Sequence, residues 1–159
     1  VKGFSEKLAA ARIRGKWGFI NHEDQIAIQP VYDEVASFKG GFALVKQKDL
    51  FGLIDKNGKP VLPVRYEDIA VLPGKRFKIK QNGLWGLADG TGKTLINPKY
   101  DELTDLNNGY AIVSREGKFG LLTLEGISTI PLLYDGLSFD PYHNLYMALR
   151  KAAWETIKL

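Results

Sequence analysis

A period of 34 residues runs through the chain and constrains its fold more than any other feature. Aligned without gaps, four successive rows cover residues 15–48, 49–82, 83–116 and 117–150. Three separated columns hold the same kind of residue in every row. They are an aromatic column (Trp17, Phe51, Trp85, Phe119), a glycine column (Gly18, Gly52, Gly86, Gly120) and a tyrosine column followed by an acid (Tyr32–Asp33, Tyr66–Glu67, Tyr100–Asp101, Tyr134–Asp135). This agreement indicates a tandem-repeat protein.

Both ends of the sequence continue the pattern as partial copies. Residues 4–14 match the back half of a row, with Phe4 in the column of Phe38. Residues 151–159 match the start of a fifth row once one residue is inserted, and Glu155 then stands in the glycine column. We therefore predict one repeat domain over residues 1–159. Because the sequence starts with Val1 rather than Met, we also expect a processed piece of a longer protein.

Each repeat has the pattern of short strands joined by tight turns. Asn57-Gly58 lies between two apolar alternating runs, and Asn-Gly is the strongest short hairpin signal. A second hairpin is predicted around residues 47–50. A 34-residue period also fits helical arrays, but only residues 4–12 could form a helix, and they fall in a strand column. We predict an all-β fold with about three strands per repeat.

Hairpin repeats of fixed length cannot bury their apolar faces alone, so they must stack on one another. One solution is an open β-solenoid or superhelix, in which each repeat contacts only its neighbours. The alternative is a small closed propeller, in which the two partial copies complete one blade. The open array is our prediction.

Residues 86–96 contain Gly92-Lys93-Thr94 and superficially resemble a phosphate-binding loop. Such a loop needs a glycine five residues before Gly92, followed by a helix. Leu87 occupies that position, and Pro98 prevents a helix after Thr94. In the repeat register this run is a hairpin turn, so we predict no nucleotide and no other cofactor.

Composition excludes several kinds of site. The 159 residues include no cysteine, which removes disulfides and thiolate chemistry. His22 and His143 stand alone, without the spacing of metal ligands, so no metal site is predicted. No apolar run approaches the ~20 residues that span a membrane. The compartment stays open between the bacterial cytoplasm and an exported fragment.

The run Gly15-Lys16-Trp17-Gly18-Phe19-Ile20, with its counterparts beside Pro-x-Tyr-Asp-Glu, resembles the bacterial WG (or KWG) β-repeat family. The likeness covers residues 4 to about 157. It implies a β-repeat scaffold of variable copy number that is presumed to mediate binding. It implies no catalytic residues.

The repeated columns are interpreted as structural. The aromatic rings are expected to pack one repeat on the next, and the glycines to leave room for a neighbouring ring or an unusual backbone angle. Four equivalent acids do not suit catalysis, which needs one differentiated pair. We expect them to close loops by accepting hydrogen bonds from backbone amides. The protein is predicted not to be an enzyme.

One strand departs from the repeat in a directed way. Phe77 and Ile79 keep the apolar column, whereas Arg76, Lys78 and Lys80 alternate to the opposite face, with no local reason visible in the sequence. The candidate contact surface is Lys75, Arg76, Lys78 and Lys80, together with Phe42 and Tyr110 from the matching positions of neighbouring repeats. A solvated charged face is the alternative. The basic residues are too few to favour a nucleic-acid groove.

The function that these features favour is a non-catalytic scaffold for a protein or peptide partner, an acidic one if it docks on the basic strand. The alternative is a carbohydrate or cell-envelope binding module, which would need at least two coplanar exposed aromatic rings.

Overall fold

The computed structural model describes residues 1–106 and 108–159, and the side chains of all of these except 105 and 106. The chain folds into five antiparallel sheets, called A to E in chain order. Sheet A contains β1 (Phe4–Ser5), β2 (Leu8–Ile13), β3 (Lys16–Ile20) and β4 (Ile26–Tyr32). Sheet B contains β5 (Glu34–Val35), β6 (Phe42–Gln47), β7 (Leu50–Asp55) and β8 (Pro60–Tyr66).

The next three sheets repeat this pattern. Sheet C contains β9 (Asp68–Leu72), β10 (Arg76–Gln81), β11 (Leu84–Asp89) and β12 (Thr94–Tyr100). Sheet D contains β13 (Glu102–Leu106), β14 (Tyr110–Arg115), β15 (Lys118–Thr123) and β16 (Ser128–Tyr134). Sheet E contains β17 (Gly136–Asp140), β18 (Leu145–Arg150) and β19 (Ala153–Ile157). Within every sheet, strands that follow one another in sequence are hydrogen-bonded neighbours.

The prediction of three strands per repeat was wrong, because sheets A to D have four strands each. The missed strand is the short one after the tyrosine-acid pair, such as β9 in sheet C. Its single buried residue, Ile69 in β9, is too weak a signal to distinguish a short strand from a loop. The sheets are also offset from the sequence rows, since sheet C joins the end of one row to the start of the next. Residues 4–12 form strands and a turn, as the repeat register predicted.

A side chain at the start of each hairpin turn fixes the turn that precedes the fourth strand. The Asp55 carboxylate accepts the amide hydrogens of Asn57 and Lys59, both at 2.9 Å. This arrangement pins the Asn57-Gly58 turn that the sequence predicted. The equivalent residues Asn21, Asp89 and Thr123 make corresponding bonds in sheets A, C and D.

The column glycines let two strand backbones approach very closely. A Cβ built on Gly86 would lie 2.4 Å from the carbonyl oxygen of Ile96, and the register of β11 against β12 shifts on both sides of Leu87. The glycine is therefore required because the backbone of the neighbouring strand lies too close, at a β-bulge, to leave room for a Cβ. The expectation of a neighbouring ring or an unusual backbone angle was wrong.

Hydrophobic contacts join each sheet to the next one in the chain. Among the described side chains, every cluster that spans two sheets spans consecutive ones: Phe19 with Phe38 (A and B), Leu53 with Phe77 (B and C), Leu87 with Leu103 (C and D), and Leu121 with Tyr146 (D and E). No cluster of described residues joins sheet A to sheet E, as closure of a propeller would require. The fold is an all-β array of stacked sheets with nearest-neighbour packing, which is the arrangement of the predicted open array. The part of the chain that the structure describes contains no helix suited to crossing a membrane.

Candidate contact surface and inter-sheet clefts

The basic residues of β10 lie on the face of sheet C that points toward sheet D. In the register with β11, Lys78 is opposite Leu87 and Lys80 is opposite Trp85. Directly opposite residues share a face, and both Leu87 and Trp85 pack in the cluster between sheets C and D. Phe77 and Ile79 are fully buried on the other face, against sheet B. The predicted alternation of this strand is therefore present in the fold.

The Trp85 ring attracts two residues of this basic row, a contact that the sequence did not reveal. The ammonium group of Lys78 lies 4.1 Å from the ring centroid, and that of Lys80 lies 5.3 Å from it. Both distances suit cation–π attraction. Burial lowers the pKa of Lys78, while the nearby carboxylates of Glu102 and Asp68 oppose the shift. One aromatic ring thus holds two cations at the margin of the inter-sheet space.

The six residues of the candidate contact surface do not form one patch. Arg76, Lys78 and Lys80 belong to the C–D interface, whereas Phe42 packs between sheets B and C. Tyr110 faces sheet E, where its ring meets that of Tyr146 edge-on, with centroids 6.1 Å apart. Phe42, Arg76 and Tyr110 occupy equivalent positions in successive sheets, so these three border different inter-sheet spaces.

Lys75 and Phe42 do come together, in a cleft between sheets B and C that we call the B–C cleft. Its volume is about 380 Å³, and its lining is Lys39, Gly40, Phe42, Val71, Leu72, Pro73, Lys75 and Phe77. Phe42 forms part of its apolar floor, and the ring of the fully buried Phe77 lies edge-on behind it, with centroids 5.2 Å apart. Val71 is 51% exposed at its side. The sequence analysis did not single out Lys39, Gly40 or Val71.

Each acid that follows a column tyrosine accepts a hydrogen bond from a backbone amide in the next sheet, as predicted. The donors are the amides of Lys48 to Asp33 (2.9 Å), Gly83 to Glu67 (2.9 Å), Glu116 to Asp101 (2.6 Å) and Lys151 to Asp135 (3.1 Å). The acid's own amide also donates to the strand before that turn, as in Asp33 to the carbonyl oxygen of Lys46 at 2.9 Å. We call this pair of bonds the acid clamp. It fastens the end of one sheet to the hairpin of the next.

Lysines reinforce two of the acid clamps. Lys16 bonds to Asp33 and Lys118 bonds to Asp135. These bonds are the main reason that the pKa values of both carboxyl groups lie below the usual range, followed by the backbone amide bonds. Acids held ionised in this way suit a structural role better than proton transfer at neutral pH.

The turn that resembles a phosphate loop has its amides occupied. The Asp89 carboxylate accepts from the amides of Thr91 (2.9 Å) and Lys93 (3.1 Å), while the amide of Gly92 donates to the carbonyl oxygen of Asp89 (3.0 Å). A phosphate needs such amides free and converging. The turn interpretation is confirmed, and the absence of nucleotide binding stays a prediction.

The column aromatics are half-buried at the margins of the inter-sheet clusters, less deeply than the predicted core role implied. More exposed rings are scattered: Phe4 is 46% exposed, Trp154 57% and Tyr142 93%. Phe4 is stacked on His22, and Tyr142 and Trp154 flank opposite ends of β18. Among the described side chains, none of these three rings is paired with another of the three.

Histidine and acid side chains form no metal-type cluster in the described part of the chain. His143 pairs with Asp140 at 2.6 Å, which lowers the pKa of that carboxyl group, and both His22 and His143 are at the surface.

Fold and sequence together define a tandem β-repeat scaffold. The sequence pattern of the family described as "WG containing repeat" matches residues 17–51, 51–85 and 85–119, which is more than half of the chain. The chain belongs to this WG-repeat family. No curated protein matches the sequence.

The chain is similar to several solved structures at low sequence identity. The structure titled "Crystal structure of the eukaryotic initiation factor" has a TM-score of 0.48 and 10% identity, covering 98% of this chain and 50% of that one. Kluyveromyces lactis Hsv2 has a TM-score of 0.44 and 9% identity, covering 96% and 56%. A Bacteroides caccae protein of unknown function has a TM-score of 0.34 and 14% identity, covering 95% and 70%. The chain spans about half the length of the first two structures. None of these three TM-scores reaches 0.5, so the likenesses carry no argument about the chain.

Proposed function

We propose that this WG-repeat chain is a non-catalytic scaffold that binds an acidic protein or peptide partner along sheet C. The observation that carries the proposal is the basic row of β10. Arg76 and Lys78 stand where sheet B has Phe42 and Leu44, and sheet D has Tyr110 and Ile112. A cationic side chain at an inter-sheet position costs desolvation that an apolar one does not. Binding of an acidic partner by Arg76 and Lys78 would offset this desolvation cost.

The acid clamps support the non-catalytic part of the proposal. All four column acids accept a backbone amide in the same way, and no pair of them is set apart as an acid and a base. A glycan-binding role has less support, because the exposed rings are scattered over the surface.

The test compares the parent protein with Arg76→Glu/Lys78→Glu in capture of partners from a lysate of the source organism. The matched control is Lys48→Glu/Lys93→Glu, which changes the net charge equally at two exposed hairpin turns. All three proteins are first shown to melt alike. We expect the β10 variant alone to lose captured protein, with a larger loss at low salt, because charge complementarity mainly speeds association and salt screens it. Equal capture by all three proteins contradicts the proposal.

A further inference from the structure

Consecutive sheets are held together at two places, one constant and one variable. The acid clamp acts at the end of the second strand of sheets B to E, near Gly83 in sheet C. The start of that strand meets the first turn of the preceding sheet. At this place one residue of the first turn determines whether a second contact, which we call the tie, joins the two sheets. The residues of this column are Glu6, Gly40, Gly74 and Asn108.

Between sheets A and B this tie is complete. The Glu6 carboxylate accepts the Gly41 amide at 3.1 Å and pairs with Lys56 at 2.8 Å. The Ser5 hydroxyl donates to the carbonyl oxygen of Phe38 at 2.6 Å. The Phe38 ring is 2% exposed and fills the space between the sheets, edge-on to Phe19. Between sheets D and E, the side-chain amide group of Asn108 (Nδ2) donates to the Tyr146 hydroxyl at 2.8 Å.

Between sheets B and C the corresponding groups are missing. Gly40 replaces Glu6 and Lys39 replaces Ser5, while the ring of Phe38 is replaced by Leu72, which is only half-buried. The B–C cleft of about 380 Å³ lies at this place. No acid lines it, and its lysines Lys39 and Lys75 form no ion pair with any carboxylate among the described side chains.

We infer that the B–C cleft binds an acidic peptide segment of a partner protein, which inserts one aromatic side chain beside Phe42 and Val71. Its carboxylates lie against Lys39 and Lys75. The segment would supply from outside what Glu6 and Phe38 supply between sheets A and B. This inference rests on the proposed peptide-binding function and adds the place and the partner's chemistry. The cleft volume is at the low end of ligand pockets, about 300–1,000 Å³, which suits one or two inserted side chains.

The probe is the peptide acetyl-Gly-Glu-Phe-Glu-Gly-amide, added to the full ¹⁵N-labelled chain and followed by amide chemical shifts. We expect saturable shifts at Gly40, Val71 and Lys75. Two matched peptides replace both Glu by Gln, or Phe by Ala, and each should bind more weakly. Lys75→Ala should weaken binding about 2- to 5-fold, as expected for one exposed ion pair. The control Lys93→Ala should leave it unchanged.

A second pair of variants keeps the inference falsifiable if Lys75→Ala perturbs its turn. Gly40→Glu places a carboxylate in the column of Glu6, and both positions have left-handed backbone, with φ of 63° and 52°. It should abolish the peptide shifts, with the remaining spectrum retained. Gly40→Gln carries the same backbone strain without the charge and should keep most of the binding.

The inference is overturned if the glutamine or alanine peptide binds as tightly as the probe peptide. It is also overturned if Gly40→Glu and Gly40→Gln lose peptide binding to the same extent. The absence of any shift overturns it as well. Shifts confined to Lys78 and Trp85 overturn the cleft but support the proposed function, since they place the acidic peptide on the basic row. The lysate comparison with Arg76→Glu/Lys78→Glu decides on the proposed function separately.

Discussion

Each four-stranded sheet has a β-bulge just after its column aromatic residue. Replacing Gly86 by alanine tests this bulge in sheet C. The new Cβ would lie 2.4 Å from the Ile96 carbonyl oxygen and 2.7 Å from the Pro98 nitrogen, whereas ordinary contacts begin near 3.4 Å. Strand β12 would have to move by about 1 Å, and both contacts are backbone, so no side-chain rotation relieves them. Overpacking of this kind costs about 1–3 kcal/mol, and the stiffer unfolded chain offsets only about 0.4–1 kcal/mol. We expect a net loss of about 1–2 kcal/mol.

Gly52→Ala is the matched control within the same chain. The nearest atom to its new Cβ is a Val64 methyl carbon at 2.7 Å, and the backbone contacts with Leu62 and Val64 lie at 3.0 Å. The backbone therefore needs to move only about 0.4 Å, and the methyl group can turn away. We expect a loss below about 1 kcal/mol. Gly120→Ala, with its nearest backbone contact at 2.7 Å, should lie between the two.

Equilibrium unfolding in urea, followed by circular dichroism, measures the three costs in sheets B, C and D. All three lie in sheets with a neighbour on either side, so effects at the ends of the array do not confuse the order. Hydrogen exchange of the β11 and β12 amides shows whether the loss in Gly86→Ala is local to sheet C. If Gly86→Ala costs no more than Gly52→Ala, the close backbone approach is not what requires the glycine.

Two further predictions concern the aromatic and acid columns. Trp85→Ala should lower the free energy of unfolding in urea by about 2–3 kcal/mol, less than the ~3–5 kcal/mol of a fully buried ring, because this ring is half-buried. Trp85→Phe should lower it less than Trp85→Ala does. Equal losses in these two variants would contradict a role for the ring in packing. Lys16→Ala should raise the lowered pKa of Asp33 toward its usual 3.8 in a carboxyl NMR titration, and an unchanged value would contradict the cause given above. The pKa of Asp33 is lower in the folded state than in the unfolded state. Its clamp therefore stabilises the fold fully at pH values above the unfolded-state pKa, and this stabilisation is lost as the pH falls through the folded-state pKa.

The repeat register predicted most of the features that recur in every copy. The hairpin turn at Asn57-Gly58 and the acid clamps followed from column agreement, because one turn or one hydrogen bond imposes the same residue each time it recurs. The short strand β9 was missed because its pairing depends on β10 beside it, and its own pattern of one buried residue is not distinctive.

The candidate surface was less predictable, because it depends on which faces of successive sheets meet. Columns show that Arg76 corresponds to Phe42 and Tyr110, but not that the three border different inter-sheet spaces. Nor could the sequence show that Lys78 and Lys80 share the Trp85 ring, which depends on the cross-strand register. The column of Glu6 and Gly40 did carry a signal for the B–C cleft, since it changes from a side chain that can tie two sheets to one that cannot.

The two kinds of inter-sheet fastening explain how one scaffold can carry different sites. The acid clamp recurs at all four junctions and holds one end of each interface, so the stacking of the sheets does not depend on the other end. The opposite end, one strand length of about 20 Å away, is then free to vary. A side chain that reaches across closes it, as Glu6 does, whereas Gly40 leaves a cleft with an apolar floor and a basic rim. Exchanging residues in this column should therefore change what an interface binds while leaving the sheets themselves folded.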